Sequence, residues 1–215
     1  MWTVLQLADS AFPTGGFAHS AGLEAAAQAR EVEGAEGVAR FVRDAIWQVG
    51  WGALPLVRAA FEDPSALPRL DARAETFLVN HVANRASRTQ GRAFLSTAAR
   101  VFPERVGPVQ AQAAGLKMHF APLWGAVCRA LGLGLDETLR VLLWSAARNV
   151  LSAGVRLGLV GTHEAQALLG QLGPALDEAH AACGRLGIED LAQSAPLADL
   201  LQGTHDRLYS RLFQS

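Results

Sequence analysis

Apolar residues recur at helical spacing along nearly the whole chain, and this pattern limits the fold more than any other feature. Leu139, Leu142, Leu143, Ala146, Val150, Ala153 and Leu157 lie along one helical face. Val38, Phe41, Val42, Ala45, Ile46 and Val49 fall at i, i+3, i+4, i+7, i+8 and i+11, a second amphipathic stripe. Ala74, Phe77, Leu78 and Val82 form a third and Phe94, Leu95, Ala98 and Val101 a fourth, with Gly91 between them. The interval from Asp71 to Val101 therefore reads as one long helix or a broken pair. Few segments alternate with period two, and isoleucine and threonine are scarce, so strands have little support. The expected fold is a single-domain, all-α bundle of roughly eight to ten helices.

Local signals place the boundaries. Pro55 and Pro122 suit the first turn of a helix, where a missing N–H costs nothing. Asp63-Pro64 ends one helix, and Phe102-Pro103 with Gly107-Pro108 is expected to break the next interval. Asp136 and Thr162 are expected N-caps. Gly173-Pro174 kinks or splits a later helix, and residues 188–196 are expected to be turn-rich.

Half of the 215 residues are hydrophobic and 18% are charged, enough apolar material for one sizeable core. The net charge of −1 gives no basic field for nucleic acid. Lys117 is the only lysine, so nearly all positive charge is arginine, which suits planar contacts at interfaces. Arg85, Arg88 and Arg92 recur at i, i+3 and i+7 and share a face; a solvated surface and a partner contact both fit them. Cys128 and Cys183 stand far apart in helical contexts, which argues against a disulfide framework and for a cytoplasmic setting. No apolar run approaches the ~18 residues a membrane helix needs.

Gly15-Gly16 has no following lysine, and Lys117 follows no glycine cradle, so a P-loop is not formed. Ser20 and Ser152 lack the preceding glycine of a Gly-x-Ser-x-Gly elbow. His163-Glu164 lacks the second histidine of a zinc helix, and His180 with Cys183 makes only a pair of candidate ligands. No catalytic residue, resident metal or cofactor is expected.

Two segments carry recognition signals instead. Between Asp9 and Glu24, Phe12-Pro13 biases the chain away from helix and Gly15-Gly16 allow a tight turn. Phe17, His19 and Ser20 follow directly, just ahead of a helical run expected to begin near Ser20. At the other end, residues 203–215 place Leu208, Leu212 and Phe213 on a helical period beside Tyr209 and Arg211. An end this apolar either folds onto its own bundle or docks on another protein.

These segments resemble a known family. Pro13, Gly15, Gly16, Phe17, Ser20, Gly22, Leu23 and Glu24 resemble the N-terminal Pro-x-Gly-Gly-aromatic turn of the urease accessory protein UreF. Asn149, Ser152, Ala153, Val155 and Arg156 resemble a central helix of that family, although Thr162 stands where a glutamine is common. His205, Tyr209, Ser210, Arg211, Leu212, Phe213 and Ser215 resemble its C-terminal ending, with Asp206 in place of glutamate. The resemblance implies a cytoplasmic, homodimeric chaperone of urease maturation without a substrate of its own. It would bridge UreD (also called UreH) and the GTPase UreG, coupling GTP hydrolysis on that partner to nickel insertion into apo-urease. Nickel and GTP would be handled by the assembled complex.

On this view Pro13, Gly15, Gly16, Phe17, Ser20, Leu23, Glu24, Arg156 and Arg211 face the GTPase. His205, Tyr209, Leu212 and Phe213 meet UreD, with residues 1–200 as the bundle and 201–215 as a tail that orders on binding. The alternatives are a stand-alone nickel carrier and, with less behind it, a small hydrolase using His19 and Ser20.

Overall fold

The computed structural model describes residues 1–215 as an all-helical single unit of twelve α-helices and four short 3-10 turns. The helices are α1 (Trp2–Ala8), α2 (Leu23–Gln28), α3 (Gly34–Gly52), α4 (Leu54–Glu62), α5 (Leu67–Phe77), α6 (His81–Val101), α7 (Pro103–Gln112), α8 (Phe120–Ala130), α9 (Leu135–Arg156), α10 (Thr162–Gln171), α11 (Gly173–Cys183) and α12 (Pro196–Gly203). The count exceeds the expected range because short helices such as α1, α2 and α12 carry too few residues to show a period. No helix is long and apolar enough to cross a membrane.

The two strongest stripes become the centre of the molecule. Buried Val38, Phe41, Val42 and Ile46 of α3 pack against the α9 face that buries Leu139, Leu142, Leu143, Val150 and Ala153. Helix α8 lies between α4 and α6 and is buried over most of its length. Its approach to both depends on glycine. A Cβ on Gly125 would lie 2.2 Å from the Val57 carbonyl oxygen of α4, and one on Gly91 would lie 1.9 Å from the Met118 carbonyl oxygen just before α8. Phe94, Phe120 and Trp124 fill the space these glycines open, with ring centroids 5.1–5.7 Å apart. The buried Trp124 indole N–H donates to the Thr138 carbonyl oxygen at 3.1 Å.

The interval from Asp71 to Val101 is a broken pair. The Asn80 side-chain oxygen accepts from the Val82 and Ala83 amides and starts α6 afresh. Two N-cap expectations are corrected. Gly134 and Gly161 hold the N-cap positions, and Glu137 and Glu164, three residues on, accept from those glycine amides at 3.0 and 3.3 Å. Asp136 instead pairs with Arg140 at 2.8 Å. The prolines at 103 and 108 do not break the chain into loop. Pro103 starts α7, and Pro108 is carried inside it because Val106 and Val109 bury their side chains.

Candidate functional site

The N-terminal turn, the end of α9 and the C-terminal segment meet on one face. Phe12 is buried against Phe94 at 6.4 Å between centroids, and the Pro13 carbonyl accepts from the Thr97 hydroxyl at 3.2 Å. Gly15 then takes a left-handed conformation with φ 76°, closed to most side chains, and the 3-10 turn Gly16–Ala18 swings Phe17 outward. Phe17 is 68% exposed yet held. The Arg156 guanidinium, in the last turn of α9, lies 4.0 Å over its ring and donates to its carbonyl oxygen at 2.6 Å. The same guanidinium also lies 4.2 Å from the centroid of the Phe213 ring. One cation thus meets two aromatic rings from opposite ends of the chain.

The segment carrying Phe213 is seated by a buried carboxylate. Glu24 is 2% exposed and accepts from the Leu212 amide at 2.6 Å, the Phe213 amide at 3.1 Å and the His205 Nε2–H at 3.0 Å. The Ser20 amide and hydroxyl both donate to the Ser215 backbone oxygen, at 2.6 and 2.9 Å. The Gln214 amide donates to the Ala18 carbonyl at 2.8 Å. Residues 208–215 are irregular, not helical: the Leu212, Phe213 and Gln214 amides pair with α2 and its entry turn. In the single chain this segment lies against α2 and its entry turn.

The residues singled out from sequence divide accordingly. Pro13, Phe17, Tyr209, Arg211 and Leu212 are exposed; Gly15 and Arg156 are half-buried. Gly16, Ser20, Leu23, Glu24, His205 and Phe213 are buried beneath that surface. Sequence reasoning gave Ser215 no contact, and it missed that Glu24 pairs with His205 across 181 positions. It also missed the network around His119, whose imidazole meets Glu75 at 2.8 Å and Ser87 at 3.1 Å, while Asp71 accepts from the His119 and Lys117 amides.

His19 and Ser20 do not form a nucleophile–base pair. The His19 Nδ1 meets the Ser215 hydroxyl at 2.6 Å, and the Ser20 hydroxyl is committed to the Ser215 oxygen and the Glu24 amide. His19 Nε2 has no protein partner, and the residue is one of those lining a cavity of about 290 Å³ that α3, α6, α9 and α12 also border. Gln48, Gln90, Ser145 and Asn149 supply polar groups to its mainly apolar wall. His180 pairs with Asp136 at 3.1 Å while Cys183 packs on Gly50, and no three His, Cys, Asp or Glu side chains come together as metal-ligand groups do.

Burial, then the charges of Arg85 and His205, lower the His19 imidazole from 6.5 to about 4. Between those two pH values the unfolded chain takes up a proton that the folded chain refuses. His19 thus contributes stability that is complete above the unfolded pKa and lost as pH falls toward the folded one, about 2 kcal/mol after solvent screening. The stability gap between the wild type and His19→Gln, from urea denaturation, should narrow by that amount between pH 7 and about pH 4.5. A gap independent of pH contradicts a neutral, buried imidazole.

The UreF family model matches residues 32–173. This chain belongs to the UreF family. Urease accessory protein F of Oryza sativa subsp. indica is 38% identical over 99% of this chain and 84% of its own length. The protein of the same name from Arabidopsis thaliana is 35% identical over 100% and 92%. Urease accessory protein UreF of Cereibacter sphaeroides is 33% identical over 99% and 97%. The UreF model covers α3 through the start of α11, whereas the Phe17 turn and the segment seated on it lie outside residues 32–173 and are spanned only by the full-length relatives.

Proposed function

We propose that this chain is a urease maturation factor acting as an adaptor. It joins UreD (UreH) to the GTPase UreG, so that GTP hydrolysis on that partner is coupled to nickel insertion into apo-urease. It works as a homodimer in the cytoplasm and has no substrate of its own. The observation that carries this reading is Phe17: a large aromatic, mostly exposed, whose orientation is fixed by Gly15 behind it and Arg156 above it. A rigid exposed aromatic beside arginine is the composition of an interface anchor. Phe17, Pro13 and Arg211 form the GTPase-facing contact on this reading. Tyr209 and Leu212, both exposed, meet UreD while His205 and Phe213 hold their segment in place. The cavity beside His19 is the part of the chain suited to a share in the nickel passage, with nickel as cargo.

Pull-down of purified UreG tests this. Phe17→Ala and Arg211→Ala should each weaken recruitment, Phe17→Ala by about 2 kcal/mol or roughly thirtyfold. Tyr209→Ala with Leu212→Ala should instead reduce UreD co-purification. Unchanged recruitment of both partners removes this face from the interface.

A further inference from the structure

The arginines of α6 form a surface that this adaptor reading does not use. Arg85, Arg88 and Arg92, with His81 and Asn84, border an open basin of about 500 Å³ also lined by Glu75 and Val79. Arg211, the one member of this cluster that the adaptor reading does use, reaches the same place from the C-terminal segment, 3.4 Å from Asp206. Four guanidiniums therefore gather around two carboxylates, and both carboxylates are committed. Asp206 is held by Arg85 at 2.7 and 3.0 Å and by His81 at 3.3 Å. Glu75 is held by His119 at 2.8 Å and Asn84 at 3.1 Å. The Asp206 and Glu75 carboxyls both sit below their ordinary values because of these hydrogen bonds.

Arg88 and Arg92 are left with the excess. The nearest carboxylate to Arg88 is Glu75 at 3.9 Å, and the Arg88 Nε–H has no acceptor. Arg92 donates to the Thr89 hydroxyl at 3.4 Å. Apolar surface borders this charge: Val79, exposed, and Leu78, half-buried, are both on the basin wall.

We propose that this basin is a docking surface for an acidic, amphipathic helical segment of another protein. Its carboxylates would be spaced one turn apart, with apolar residues alongside. The spacing decides against a compact anion. Arg85 to Arg92 spans about 10 Å of helix axis, too far for one phosphate to engage all three forks but matched to two carboxylates on a facing helix. The apolar flank gives such a segment burial that a small anion cannot use. The inference stands whether or not the Phe17 face engages a GTPase, and its test contains neither urease partner.

The probe is a fluorescein-labelled helical peptide with glutamates one turn apart and leucines beside them, read by anisotropy against the full chain. A counterpart with glutamine for every glutamate serves as control. The acidic peptide should bind, weaken as ionic strength rises, and lose about tenfold or more in affinity on Arg88→Ala with Arg92→Ala; the glutamine peptide should bind no better than that variant. Both arginines are partly exposed, and unchanged circular dichroism would show the variant folded. The proposal is overturned if the acidic peptide does not bind, if both peptides bind alike, or if the double variant binds like the wild type. Displacement of the peptide by an equal concentration of pyrophosphate would make the basin a small-anion site, and arginine-dependent self-association in gel filtration would make the occupant a second copy of this chain; either result also overturns it.

Discussion

Gly125→Ala and Gly91→Ala should each lower stability by about 3 kcal/mol or more, read as a fall in the urea midpoint at unchanged slope. The added methyl at 125 meets the Val57 carbonyl oxygen at 2.2 Å, the Val57 carbonyl carbon at 3.0 Å and the Phe61 amide nitrogen at 3.1 Å. At 91 it meets the Met118 oxygen at 1.9 Å and the His119 carbonyl carbon at 3.1 Å. Every one of these atoms is backbone, so no rotamer change relieves the clash. Helix α8 must move away from α4 or α6, and the aromatic cluster of Phe94, Phe120 and Trp124 moves with it. Gly107, inside α7, provides the contrast, because a Cβ there meets nothing within 4 Å. Gly107→Ala should stabilise the protein by about 0.5–1 kcal/mol through helix propensity alone. Equal effects at 107 and 125 would mean that the helix crossings are placed wrongly.

Glu24→Ala is expected to free the C-terminal segment. The substitution leaves two amides and the His205 imidazole, all in or near the interior, without their shared acceptor. Removing one partner of a buried, hydrogen-bonded charge costs about 3–5 kcal/mol, more than the few contacts of residues 208–215 can oppose. The segment should therefore detach before the helices unfold. Limited proteolysis should cut within residues 204–215 of the variant while the rest of the chain resists. Circular dichroism should lose little, since this segment contributes almost no helix. Release would also uncover Phe213 and take one aromatic face from Arg156, leaving Phe17 loosely held. Protection equal to that of the wild type would show that Glu24 is not what seats the segment.

These two sites also show what a sequence reveals and what it hides. The α3 and α9 stripes, Pro55 and Pro122 in first turns and the division at Gly173-Pro174 are local facts, and all are found where the spacing places them. Gly91 stood only as a gap between two apolar stripes and Gly125 carried no local signal, because a close crossing depends on which backbone lies opposite and that residue is distant in sequence. The caps of α9 and α10 were misplaced by two residues and one, since Glu137 and Glu164 reach back to glycines that have no side chain to advertise them. The helical spacing of Leu208, Leu212 and Phe213 misled for a related reason. Helix was one way to satisfy these amides, but a carboxylate from α2 satisfies those of Leu212 and Phe213 instead. The exposed half of the candidate face, Phe17 above all, was legible from its Gly-Gly turn. The Arg156 stack that fixes it was not, because its two rings come from positions 17 and 213.

The central claim is that this chain acts by holding other maturation proteins in place. Urease purified from cells lacking the chain, from cells carrying it, and from cells carrying Phe17→Ala with Arg211→Ala can be assayed for nickel per active site. The account predicts nearly nickel-free urease in the first case, full occupancy in the second and a large deficit in the third with the variant folded and abundant. Full nickel occupancy in cells without the chain would contradict it.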